Sequence, residues 1–137
     1  MSEHRRARRI LLSTPVIVEV VGQPEMSLPP EVEKVYRRVE ADRSAIGRRF
    51  PGVVRDLSTN GAFVATEPVP LMSRLAMQFD FDGHKVDALA WVLWKREADC
   101  SIQRADGQGA INLPRGIGVM FEAIPLEVRI AIARKVG

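Results

Sequence analysis

Two short groups of residues in this sequence have the chemistry to hold a flat, charged ligand. The first is Arg5-Arg6-Ala7-Arg8-Arg9, with Arg5 and Arg9 four positions apart, just ahead of the first apolar segment. Guanidinium groups are planar, offer bidentate donors to phosphate and stack on purine rings. The second is Asp56-Leu57-Ser58-Thr59-Asn60-Gly61, in which an acid, a hydroxyl and a glycine fall in the pattern Asp-x-Ser-x-x-Gly. A carboxylate at Asp56 accepts from paired donors such as the N1–H and N2–H₂ edge of guanine, while Ser58 either donates to a phosphate or orients the turn. Gly61 supplies a backbone geometry that a β-branched residue resists. Each group also has a plainer meaning by itself: a solvated basic tail for the arginines, a hairpin turn for Asp56–Gly61.

Catalysis finds little support. His4 lies in the basic arm and His84 beside a turn, and no HExxH or paired CxxC spacing occurs, so no metal site is expected. Cys100 follows Asp99, a neighbour that raises a thiol pKa, and no histidine is near it in sequence. Asp80, Asp82 and Asp87 crowd one hairpin and read as solvated loop residues, and Gly107 and Gly109 have no following helix to make a phosphate cradle. The expectation is a binding protein, not an enzyme, with no catalytic residues and no cofactor.

The bulk numbers agree with a small globular chain. It has 137 residues, 46% hydrophobic and 27% charged, which suits one domain spanning 1–137. No apolar run approaches the roughly 18 residues that span a bilayer, and no signal peptide is apparent. A single cysteine fits a reducing compartment, so a cytoplasmic location is expected. The net charge of +3 is too small to suggest nucleic-acid binding. Most Phe and Trp residues fall in apolar strand patterns, and Tyr36 is the sole tyrosine, so no aromatic platform for single strands is expected either.

The elements that must position these residues are mostly strands. Pro15–Val21 is β-branched and apolar. Residues 53–57 and 62–66 form a hairpin around the Ser58–Gly61 turn, and 75–81 and 85–94 form another around Asp82-Gly83. Residues 100–103 make a short strand, 106–109 a turn, and Gly116–Phe121 a strand whose glycines allow close backbone approach or a bend. Two helices interrupt this pattern. Leu28, Val32, Val35 and Val39 recur at helical spacing within a 27–47 insertion, giving a helix near 30–46 that Gly47 ends. A second runs from Pro125 to 136, with Arg134 and Lys135 suited to its C-terminal dipole. Six or seven short strands with hairpin turns and two added helices predict a mainly β chain, built as a small antiparallel barrel.

In these motifs and their order the sequence resembles the PilZ domain, a bacterial receptor module for cyclic di-GMP. The family pairs RxxxR in an N-terminal arm with [D/N]xSxxG after the next strand, and Arg5–Arg9 and Asp56–Gly61 match both in that order. Pro15-Val16-Ile17-Val18, Trp91-Val92-Leu93-Trp94 and Gly116-Ile117-Gly118-Val119-Met120-Phe121 resemble further family strands, so the likeness covers nearly the whole chain. It implies that residues 1–14 form a ligand arm in which Arg5 and Arg9 contact phosphates and guanines and Arg6 assists. Asp56 and Ser58 would hold a guanine edge and a phosphate, and Gly61 would shape the turn. Both one and two ligands per domain occur in the family, and His4 ahead of the motif does not choose between them.

The resemblance implies a receptor that changes conformation on binding and regulates a protein partner, in motility or surface-polysaccharide control. The alternative is a PilZ-like adaptor that works without the nucleotide. The 27–47 insertion departs from the family's shorter connection. Its apolar stripe either packs on its own barrel or docks a partner, a second subunit included. The segment 98–114 is also longer than the family's usual turn.

Overall fold

The computed structural model describes residues 9–22 and 46–136. Arg5, Arg6, and the helix expected near 30–46 therefore lie outside the described residues. Among the described residues eight strands and one helix follow in order: β1 (Ile10–Gly22), β2 (Arg49–Leu57), β3 (Gly61–Ala65), β4 (Arg74–Phe81), β5 (His84–Arg96), β6 (Cys100–Gln103), β7 (Ala110–Leu113), β8 (Gly116–Ala123) and α1 (Leu126–Val136). Six of the strands close an antiparallel barrel in the order β1-β2-β3-β8-β5-β4, and β6 pairs with β7 as a separate ribbon. The barrel expected from the hairpin pattern is thus present. The ribbon strand β7 is additional, and β1 and β2 begin earlier than their apolar runs suggested.

Alternation of side chains builds the core. Val16, Val18 and Val20 of β1, Leu75, Met77, Phe79 and Phe81 of β4, and Val86, Ala88, Ala90 and Val92 of β5 all point inward and are buried. Ile117, Val119 and Phe121 of β8 complete the wall. Val128 and Ile132 of α1, one helical turn apart, are buried against this core. The carbonyl of Pro125 accepts from the amides of Val128 and Arg129, which starts the helix where the proline was expected to open it. Among the described residues, no helix is long and apolar enough to cross a membrane.

Two of the pairing slips in the barrel set which side chains reach the outer face near the Asp56 turn. Between β2 and β3 the register shifts from Val54↔Val64 to Asp56↔Phe63, which leaves Arg55 as an extra residue. Between β5 and β8 it shifts from Val92↔Val119 to Trp94↔Gly118, which leaves Leu93 extra. A bulge of this kind reverses which face the following side chains occupy. Leu57 therefore remains buried while Asp56 turns to the outer face, and Trp94 emerges outside although Val92 is inside.

The outer face of β4, β5 and β8 also carries an ion pair. Arg74 Nε and Nη2 donate to the two carboxylate oxygens of Glu122, at 2.8 and 2.5 Å, and the guanidinium lies 5.7 Å from the Trp91 ring centroid. The hydrogen bonds from Arg74 hold the Glu122 carboxyl below the usual carboxylate range. A depressed pKa contributes stability above the unfolded value, and that contribution fades as pH falls through the lower folded value. Melting curves of Glu122→Gln and the parent should therefore differ most near neutral pH and converge only as pH falls from the ordinary glutamate value, about 4.3, through the lowered one. A gap independent of pH would assign the effect to packing instead.

Candidate functional site

The two bulges and the strand register line up one transverse row on the barrel's outer face. Leu11 pairs with Asp56, Asp56 with Phe63, Phe63 with Gly118, and Gly118 with Trp94, so the row crosses β1, β2, β3, β8 and β5. Asp56 sits at the centre of its polar half. Its Oδ1 accepts from the amide of Phe63 at 3.2 Å, and its Oδ2 faces Arg9 Nη1 at 3.4 Å. The carboxylate is largely covered, at 19% exposure, whereas the arginine side chain is 60% exposed. Arg9 and Asp56, far apart in sequence, thus meet.

Ser58 and Gly61 have different duties. The Ser58 hydroxyl accepts from the amides of Asn60 and Gly61 at 3.3 and 3.2 Å and lies 3.2 Å from the Gly61 carbonyl, while the Ser58 amide donates to that carbonyl at 2.8 Å. The hydroxyl is therefore occupied in shaping the turn, the second of the two roles open to it from sequence. The Asn60 carbonyl accepts from Phe121 and ties the turn to β8. Gly61 does not occupy the left-handed backbone region. It is required for space instead, because a Cβ there would overlap the Val119 carbonyl on the adjacent strand.

The apolar half of the row was not expected from sequence. Phe63 and Trp94 stack with centroids 5.3 Å apart and 15° between planes. They meet because the strand between them carries glycine at 116 and 118. A Cβ on Gly118 would run into the Trp94 indole, and one on Gly116 would run into the Phe63 ring and the β3 backbone. Arg96 lies 5.2 Å from the Phe63 centroid and 5.5 Å from that of Trp94, and its Nη1 donates to the Pro114 carbonyl at 2.7 Å. The apolar strand pattern suggested burial, but the Leu93 bulge brings Trp94 out as a single half-exposed aromatic platform over the buried Phe63 ring. Two glycines spaced by two on one strand, flanked by aromatic-bearing strands, were the legible signal for such a surface.

Arg9, Asp56, Ser58, Asn60, Phe63, Trp94 and their neighbours line one open cavity of about 280 Å³. Its apolar wall is Leu93, Trp94 and Met120, each roughly half exposed. Among the described residues, no cluster of three His, Cys, Asp or Glu side chains is arranged to hold a metal ion. The cavity thus offers a carboxylate, a guanidinium and an aromatic face side by side.

The PilZ domain family model matches residues 3–137. The chain belongs to the PilZ domain family. Its fold is also similar to that of a solved structure, described as the PilZ domain with c-di-GMP of YcgR from Escherichia coli, at 13% identity and a TM-score of 0.50. That match covers 96% of this chain and 88% of the other. No curated protein matches significantly. The PilZ barrel accounts for the six-stranded closure and the terminal helix.

Proposed function

We propose that this PilZ chain is a cytoplasmic receptor for cyclic di-GMP that works by binding, without catalysis, and transmits the bound state to a protein partner. The observation that carries this reading is the meeting of Arg9 and Asp56 beside the Phe63–Trp94 stack. A guanine nucleotide presents a donor edge, a flat ring and a phosphate, and this row has a complement for each. The similar YcgR domain is described with the same ligand, which supports the choice of nucleotide.

In this reading Asp56 Oδ2 takes the guanine N1–H and N2–H₂ edge while Oδ1 stays anchored to the Phe63 amide. Arg9 leaves Asp56 for a phosphate. That exchange costs little, because a long contact to a mostly exposed arginine contributes only about 0–1 kcal/mol. Arg5 and Arg6 join Arg9 on the ligand, and the arm's engagement of the ligand over the cavity creates the surface that the partner reads. Ser58 and Gly61 keep the turn in shape, and Trp94 receives a purine face. Motility or surface-polysaccharide control is the process in which we place the partner.

Titration calorimetry of the full chain with cyclic di-GMP tests the proposal, and its stoichiometry separates one ligand from two. Absence of both heat and thermal stabilisation at tens of micromolar ligand, or roughly 50 µM, would sink it and leave the nucleotide-independent adaptor. Trp94→Ala should weaken binding about tenfold, since base–aromatic stacking contributes about 1–3 kcal/mol. Trp94 also covers the Phe63 ring, so the affinity should be read well below the variant's own melting temperature. Unaltered affinity in that variant would remove the platform from the site.

A further inference from the structure

Arg96 is the last residue of β5, two positions beyond Trp94, so strand alternation sets both side chains on the outer face. Their partners on β8 are Gly116 and Gly118, which leave the floor between β3 and β5 free of side chains. Phe63 enters this space from β3, and Trp94 and Arg96 enter it from β5. The Arg96 guanidinium lies 5.2 Å from the Phe63 centroid and 5.5 Å from that of Trp94, and the two centroids are 5.3 Å apart. Three nearly equal distances put the guanidinium beside the stacked pair. The indole face turned away from Phe63 is left uncovered by it. The Arg96 Nη1 donates to the Pro114 carbonyl at 2.7 Å, a part-buried backbone acceptor just ahead of β8. Trp94, by contrast, is half exposed, and its side chain makes no hydrogen bond among the described residues.

We propose that Arg96 is a positioning residue for ligand recognition, holding the Phe63–Trp94 stack so that the free face of the indole is presented to a purine base. This role rests on the cyclic di-GMP reading above and gives Arg96 no contact with the nucleotide. Arg96 does not line the cavity that Arg9, Asp56 and Trp94 share. A half-exposed ring without this support would sample other rotamers, and binding would have to order it. Fixing the ring beforehand removes that cost from binding. Arginine suits the task because a planar guanidinium lies against rings and still has donors for a carbonyl. The anchor is firm, because the bond is charge-assisted and its acceptor belongs to the backbone leading into β8.

Titration calorimetry and time-resolved fluorescence anisotropy of the full chain test this role. Arg96→Met keeps the aliphatic stem and removes the planar charge and the bond to Pro114. It should weaken cyclic di-GMP binding about fivefold. In a Trp94→Ala background the same substitution should change affinity less than about twofold, because the ring through which it acts is gone. Effects that multiply would make Arg96 independent of Trp94 and overturn the proposal, as would parental affinity in Arg96→Met. The ligand-free protein gives a second reading. The chain has two tryptophans, so Trp91→Phe leaves Trp94 as the sole emitter. In that background Arg96→Met should add a fast component, of about a nanosecond or less, to the anisotropy decay. An unchanged decay overturns the proposal whether or not the nucleotide binds. Absence of binding by the parent itself would instead overturn the receptor reading, and the anisotropy then decides whether Arg96 holds the ring. Arg96→Lys serves if Arg96→Met does not fold, and the same losses are expected, because an ammonium cannot lie against two rings and also reach the carbonyl.

Discussion

Arg9→Ala is expected to weaken cyclic di-GMP binding at least tenfold, about 1.4 kcal/mol or more, without lowering the melting temperature. The two halves of this expectation have separate causes. Among the described residues, Arg9 is the one from the arm that reaches the cavity, 3.4 Å from Asp56, and its loss removes a charge-assisted contact to phosphate. Its contribution to the free protein is small because its side chain is mostly in water. Asp56→Ala is the informative companion. It should impair binding too, and it should reduce the preference for cyclic di-GMP over cyclic di-AMP, whose adenine lacks the paired donor edge. Calorimetry of both variants with both nucleotides reads each effect. Near-parental affinity in Arg9→Ala and in Arg5→Ala would make the arm a passive tail, and unchanged selectivity in Asp56→Ala would move guanine recognition elsewhere.

Gly61→Ala is expected to be strongly destabilising for a single added methyl. The added Cβ would overlap the carbonyl oxygen of Val119, a backbone atom held by the pairing of β3 with β8. No rotamer change relieves such a clash, so the two strands must separate. Overpacking of this kind costs about 1–3 kcal/mol, with this backbone contact at the upper end. For a chain of this size that corresponds to a melting temperature lower by on the order of 10 °C. Asn60→Ala is the control, since Asn60 contributes backbone groups to the turn and its side chain makes no hydrogen bond among those described. Thermal melts of the two variants side by side check the point. Equal melting temperatures would mean that β3 and β8 approach less closely than their pairing indicates.

Much of this site can be read along the chain because its chemistry is local. Asp56, Ser58 and Gly61 lie within six positions, and a Ser-x-x-Gly turn closes on its own hydrogen bonds. The role of Gly61 was less legible. A glycine in a turn suggests a left-handed backbone, whereas here it answers the approach of a strand that lies about sixty residues later in the sequence. The platform was hidden for a related reason. Alternation along Trp91-Val92-Leu93-Trp94 predicts that Val92 and Trp94 share the inner face, and only the slip in pairing with β8 reverses the second.

By itself the sequence determined the strand-rich class, the hairpin turns at 58–61 and 82–83, the terminal helix, and the two motifs whose order resembles the PilZ signature. Those features depend on residues close together in the chain, where propensity, alternation and turn chemistry act directly. Tertiary structure alone decided that Arg9 faces Asp56, that Phe63 and Trp94 meet over Gly118, and that β6 and β7 leave the barrel as an exposed ribbon. Each of these is set by which strands become neighbours and in what register. A shift of one residue exchanges the faces of a strand, and composition does not encode that shift.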